Sequence, residues 1–274
     1  MSATTFRRTE GASGSAARLR VTPARVISSE WIKFRTLRSS WYILLAAAGS
    51  LIGIGLVVAY ATSTANWAHL DLEDQVASAP LQGYRLAQLF IGVLGVLFVS
   101  GEYATGMIRS TFAAVPRRLT VLGAKSIVFG ITALVTMTVA SFATFFAAQI
   151  LLSADGHGSS LSDPGALRSV IGVGALLTLV GLLGGGLGWI LRSTAGAIST
   201  LVGLLLILPV IFQLLPGSAS TSISKFLPSE AGGSFVTSFH QPDTLTPWAG
   251  LGVTALWVIT TLAMAAVVIR RRDA

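Results

Sequence analysis

Apolar residues gather in six long runs: Trp41–Ala61, Leu81–Ser100, Ser126–Leu152, Val170–Leu191, Ala195–Leu215 and Trp248–Ile269. An α-helix rising 1.5 Å per residue needs roughly 20 residues to cross a bilayer. The second run is uninterrupted only from Leu86, so Arg85 has to reach outward to the membrane surface. None has the strict alternation of a barrel strand, and a backbone facing lipid must satisfy its own hydrogen bonds. The pattern predicts an all-α, polytopic membrane protein with six transmembrane helices.

The segments between the runs set the organisation. Residues 1–22 are rich in Ser, Ala, Gly, Thr and Arg and have little to bury, which predicts a disordered tail. After Pro23, Ile27, Trp31 and Phe34 recur at helical spacing, so residues 23–40 read as an amphipathic helix lying on the membrane surface before the first span. Residues 41–269 form the six-span domain and 270–274 a basic tail. The loop Thr62–Pro80 is polar and acidic, and Ser153–Ser169 is rich in Gly, Ser and Asp. The connection Pro216–Pro247 differs: Ile223, Phe226, Leu227, Phe235, Val236 and Phe239 make it semi-apolar and predict short helices dipping back into the outer membrane face. In the fourth span Gly181/Gly185 and Gly184/Gly188 stand four apart, as do Gly49 and Gly53 in the first; such spacing lets backbones approach closely. Pro209 predicts a kink in the fifth span.

Composition agrees. Of 274 residues 53% are hydrophobic and only 11% charged, with mean hydropathy +0.75, where soluble domains are about a quarter charged. There is no cysteine, which removes disulfides and thiolate metal sites. The net charge of +8 is unevenly spread: with both termini cytoplasmic, 16 of the 19 Lys and Arg fall on the inner side. That distribution favours a plasma-membrane protein with both termini inside, and assigns the charge to the lipid face rather than to nucleic acid. Arg7-Arg8 lies too far ahead of the first run, and that run is too long, for a cleaved signal.

Catalytic chemistry is sparse. "GLLGGGLG" lies inside an apolar span, where no phosphate could reach it, and His69, His157 and His240 lie in outer loops without ligand spacing. No run carries an ionisable residue at mid-depth, which argues against ion-coupled carriers and intramembrane proteases. Gln88, Gln149 and Gln213, each toward the outer half, can line a path or bond between helices, the second being favoured. No catalytic, cofactor or metal residue emerges, so any energy for transport must come from another polypeptide.

The stretch "GEYATGMIRSTFAAVPRR", Gly101–Arg118, follows the second run without a turn. On one continuous helix Glu102, Thr105, Gly106 and Arg109 share a face; the glycine would admit a second helix, and Pro116 ends the pattern before Arg117 and Arg118. This reads as a structured element between spans two and three. A solvated basic loop that only orients the spans is the alternative.

The stretch resembles the segment after the second span of type-2 ABC transporter permeases, with its Gly-Glu, Thr-Gly, Arg and Pro-Arg-Arg in similar order. "SEWIKFRTLRSSWY" is similar to that family's lead into the first span, and the likeness runs from about Arg25 to the tail. The resemblance implies an export permease without an ATPase site of its own, pairing as a homodimer or heterodimer and docking a separate ABC ATPase subunit, which binds the ATP. It implies a cytoplasmic coupling helix: Glu102, Thr105, Gly106 and Arg109 leading to the contact, Thr111, Pro116, Arg117 and Arg118 nearest the ATPase, and Glu30 and Lys33 packing against them. A non-transporting scaffold or sensor component, a channel or secondary carrier and an intramembrane enzyme remain alternatives. Few fixed polar groups along the spans lean toward a hydrophobic or amphipathic cargo, without naming it.

Overall fold

A computed structural model describes residues 22–63, 77–154, 158–214, 222–238 and 243–271. Most of the tail predicted to be disordered, most of the acidic loop after the first span, the three histidines, Phe239 and the end of the basic tail lie outside these residues. All regular structure among the described residues is helical: α1 (Pro23–Thr36), α2 (Arg38–Ser63), a 3-10 turn (Ala79–Gly83), α3 (Tyr84–Ala104), α4 (Met107–Ala114), α5 (Arg118–Ala154), α6 (Ala166–Leu191), α7 (Thr194–Val202), α8 (Leu208–Leu214), α9 (Pro228–Val236) and α10 (Pro247–Arg271). Six helical segments are long and apolar enough to cross a membrane, as the hydropathy pattern predicts; α7 and α8 together make the fifth.

The fourth span, α6, is the centre of the bundle. It packs on α3, α5, α9 and α10, and its glycines are the reason it can. A Cβ at Gly184 would collide with the Gly92 carbonyl, and one at Gly95 with that of Gly181, so α3 and α6 touch backbone to backbone. In a bilayer, where lipid is as apolar as leucine, van der Waals contact of this kind holds helices together. The glycine spacing therefore serves packing within the chain. A Cβ at Gly49 or Gly53 on α2 would meet nothing within 4 Å among the described residues. Along the α5–α6 seam Ser141 donates to the Val170 carbonyl at 2.8 Å.

The fifth span departs from a simple proline kink. A π-helical turn, Gly203–Ile207, lies just ahead of Pro209, with the Leu208 N–H bonding back to the Gly203 carbonyl. Proline has no N–H to donate and its ring crowds the preceding turn, so the local ladder is reset there. The semi-apolar connection forms α9, started by Pro228, almost wholly buried. Gly232 seats it on Leu176 of α6, while Phe235 meets Trp248 edge-on at 5.2 Å. Its short-helix reading holds for residues 228–236, although Ile223 and Phe226 stay exposed.

At the other end, α1 buries Val26, Glu30 and Phe34 at i, i+4 and i+8. Phe34 is 0% exposed and meets Phe98 of α3 at 5.3 Å. Burying such a ring contributes about 1.5–3 kcal/mol. Trp31 and Ile32, which the spacing argument put with Phe34 or left aside, face outward. The helix thus has two apolar faces, one for the protein and one free. Leu37 alone is extended between α1 and α2, and the Trp41 indole donates to the Arg35 carbonyl across that joint. The spanning helix α2 starts at Arg38, ahead of the apolar run itself.

Candidate functional site

Four ionisable side chains from three helices meet where α1 crosses the ends of α3 and α5. Lys125 of α5 is 2% exposed. Its ammonium lies 2.7 Å from Glu30 Oε2 and 2.8 Å from Glu102 Oε1, donates to the Phe98 carbonyl at 3.3 Å, and sits 4.3 Å from the Phe98 ring centroid. The Glu30 contact is ionic rather than a hydrogen bond, its angles being unfavourable. Lys33 of α1 donates to Glu30 Oε1 at 2.8 Å and to Glu102 Oε1 at 3.0 Å. Two carboxylates and two ammoniums balance. A buried charge without a partner is strongly destabilising, so each member makes the others tolerable.

Lys33, outside the spans, shows the balance. Burial draws its pKa down, but the hydrogen bonds and charges of Glu30 and Glu102 outweigh burial and leave it raised above the ordinary lysine value. Lys125 stands one residue ahead of the third apolar run, Ser126–Leu152, where the sequence makes it a charge of the segment between spans two and three; the structure corrects that. The lysine lies inside α5, whose 37 residues make a rod of about 55 Å against a hydrocarbon core of about 30 Å, leaving length beyond the core at its ends. The signal was present: Val121, Val128 and Phe129, at i−4, i+3 and i+4, are all buried, and a lysine on an apolar helix face needs partners.

The element between spans two and three is likewise rebuilt. The continuous helix implied by Glu102, Thr105, Gly106 and Arg109 is broken: α3 stops at Ala104, Gly106 takes φ 73°, and α4 starts afresh. A Cβ at Gly106 would meet nothing within 4 Å, so the glycine is there for its left-handed backbone, not to admit another helix. Thr105 folds its hydroxyl back to the Gly101 carbonyl at 2.9 Å, and Arg109 is exposed, without an ion pair among the described residues. The link from Glu102 to α4 is Thr111, whose hydroxyl lies 3.4 Å from both Glu102 Oε2 and Lys33 Nζ. Pro116 does end the element; α4 stops at Ala114 and α5 begins at Arg118.

On its other side α4 rests on an aromatic platform the sequence reading missed. Ile108 is buried with Val99, Val121, Trp189, Ala265 and Ile269. Phe112 stacks on Trp189 at 6.4 Å, and Tyr103 meets the same indole edge-on at 5.8 Å. Arg118 covers the Phe112 ring at 5.4 Å and donates to the Ile269 carbonyl at 3.2 Å, tying α5 to the end of α10. Arg192, in a left-handed conformation at φ 53°, ends α6 and lies over Tyr103. Each of these aromatics stood alone in sequence, so no local spacing revealed them.

The remaining sequence candidates lie elsewhere. Gln149 is buried, but it accepts from the Ser159 N–H at 2.7 Å and so holds the loop after its own helix rather than a neighbouring span. Gln213 is exposed near the end of α8. Arg117 is exposed beside α4.

A family model described as "ABC-2 family transporter protein" matches residues 26–184, more than half of the chain. The match takes in most of α1, the four-charge cluster, all of α4 and most of α6. No curated protein matches.

Proposed function

The chain belongs to the ABC-2 transporter family and is a multi-pass membrane permease of that class; we propose that it is one half of an ATP-driven exporter, pairing with a second permease and docking a separate ATPase subunit through α4. The observation that carries this reading is the mounting of α4. It is short, its Met107, Arg109, Ser110, Ala113 and Ala114 are exposed, and its inner face is fixed twice over. Thr111 joins it to the cluster of α1, α3 and α5, and Phe112 joins it to α6 through Trp189. A free loop would not transmit force; a helix clamped to four others would.

The mechanism follows from that mounting. Closure of the ATPase pair on ATP displaces α4, and the clamps carry the displacement into the spans as a rigid-body shift. The ATP-bound pair must bind the outward-open form more tightly, because equal affinity would shift nothing. Nucleotide is bound by the partner, and in this orientation both termini and α4 are cytoplasmic, as the basic residues favour.

The test is purification of the tagged protein from its native membranes. A co-purifying ATPase subunit, lost when Arg109, Ser110 and Arg117 are changed together, supports the reading. A chain that comes away alone, under conditions that keep other such complexes intact, leaves α4 without a motor and favours a scaffold role.

A further inference from the structure

Three arginines converge on an open groove of about 470 Å³ between the start of α5 and the end of α10, lined by Pro116, Arg117, Arg118, Leu119, Thr120 and Arg270. We propose that this groove holds the phosphate of an anionic phospholipid. Arg118 is already fixed, by the Ile269 carbonyl and the Phe112 ring, so it forms a rigid back wall. Arg117 and Arg270 are exposed at the rim and can close on an anion.

What selects a lipid over a protein partner is the surface running on from the groove. Arg270 directly follows the last apolar residue of α10, Ile269, near the end of the candidate span Pro247–Arg271, so the groove lies at the end of a span whichever way the chain is oriented. One helical face of α5 continues from Thr120 through Gly123 to Ile127 and Ile131, and one of α10 runs back from Arg270 to Val267. Ile127, Ile131 and Val267 are 46%, 61% and 48% exposed, and a Cβ at Gly123 would meet nothing. Guanidinium groups above an open apolar track match a headgroup above its acyl chains. An acidic protein segment would use the arginines and leave the track unfilled.

The full-length protein in detergent micelles with equal amounts of phosphatidylglycerol and phosphatidylcholine, read by native mass spectrometry, tests this. The wild type is expected to retain phosphatidylglycerol selectively, and Arg117→Gln with Arg270→Gln to weaken that retention about thirtyfold, at about 1 kcal/mol per arginine. Arg109→Gln, on α4 away from the groove, should leave phosphatidylglycerol retention unchanged. Absence of lipid preference, or equal loss in Arg109→Gln, overturns the proposal. So does inorganic phosphate displacing the lipid fully at equal concentration, which would make the groove a free-phosphate site. Loss of a bound ATPase with lipid retention intact would give the groove to the protein contact instead. Should the double variant unfold, Thr120→Cys in the otherwise cysteine-free chain carries a fluorophore; stronger quenching by headgroup-labelled phosphatidylglycerol than by labelled phosphatidylcholine supports the site, and equal quenching refutes it.

Discussion

Lys125 and Glu102 lie 2.8 Å apart, 23 residues from each other in sequence, where the third span passes the end of the second. Lys33 and Glu30 complete the balance, so the pair is one half of a neutral square. Removing one corner leaves an uncompensated buried charge. Lys125→Met is therefore expected to destabilise by about 3–5 kcal/mol. Lys125→Met together with Glu102→Gln leaves the Lys33–Glu30 pair intact at 2.8 Å and should recover most of that loss. Thermal unfolding in detergent measures both. A double variant that loses the sum of the two singles would mean that the charges do not act as a unit.

The pH dependence of the α1 attachment follows from Lys33. Its pKa is raised in the folded chain: burial opposes the ammonium, and the bonds to Glu30 and Glu102 more than restore it. A raised folded value gives stability that is complete well below the ordinary lysine value of 10.5 and is lost as pH climbs through the folded value. A spin label at Ile32→Cys, on the exposed face of α1, should show constant mobility from about pH 6 to about pH 9 and loosen only in strong alkali. A step near neutrality would contradict the arrangement.

Glycines at three places should respond differently to the same change. Gly106→Ala forces a side chain into a left-handed backbone and should cost about 1–2 kcal/mol without any clash. Gly184→Ala drives a Cβ into the Gly92 carbonyl, and with backbone on both sides it should cost at least the about 1–3 kcal/mol of an overpacked core. Gly49→Ala meets nothing and should be neutral or stabilising by up to about 1 kcal/mol. Melting temperatures of the three variants rank them; equal losses would refute the α3–α6 seam.

The six spans were legible because lipid demands long apolar helices, and that demand is written locally in every run. The glycines of α6 were legible for the same reason: Gly181/Gly185 and Gly184/Gly188 report a close approach by their spacing alone. Glu30 and Lys33 were found through family likeness and Glu102 through helical spacing, but their true partner was not. Lys125 looked like the last charge of a loop because it stands one residue before the apolar run begins, and only the fold shows α5 starting earlier, at Arg118. Arg109 failed the other way. Helical spacing placed it with Glu102, and the left-handed Gly106 turned it away. Trp189, Tyr103 and Phe112 are brought together by three different helices, a relation no local pattern can carry.

Orientation is tested on the cysteine-free background. Ser110 lies on exposed α4 and Ser162 in the exposed turn ahead of α6, at opposite ends of the bundle. If basic residues mark the inner side, Ser162→Cys labels in intact cells with an impermeant maleimide and Ser110→Cys labels only after lysis. The reverse pattern would move α4, and any ATPase contact, outside.

Phe112 and Arg109 separate the two jobs assigned to α4. Arg109 is exposed and faces away from the bundle, so Arg109→Ala should weaken capture of the ATPase subunit and leave the melting temperature of the permease unchanged. Phe112 faces inward, stacked on Trp189 and covered by Arg118. Phe112→Ala should leave capture intact but cut the connection to α6, so that ATP is hydrolysed without proportionate transport. The distinction is energetic: docking depends on contacts made in every state, whereas coupling depends on a difference between states, which a loosened clamp no longer transmits. Reconstituted vesicles, with hydrolysis and substrate movement followed together, give the ratio. If Phe112→Ala lowers both in step, the aromatic platform only supports the fold; if Arg109→Ala leaves capture whole, the contact lies on another surface.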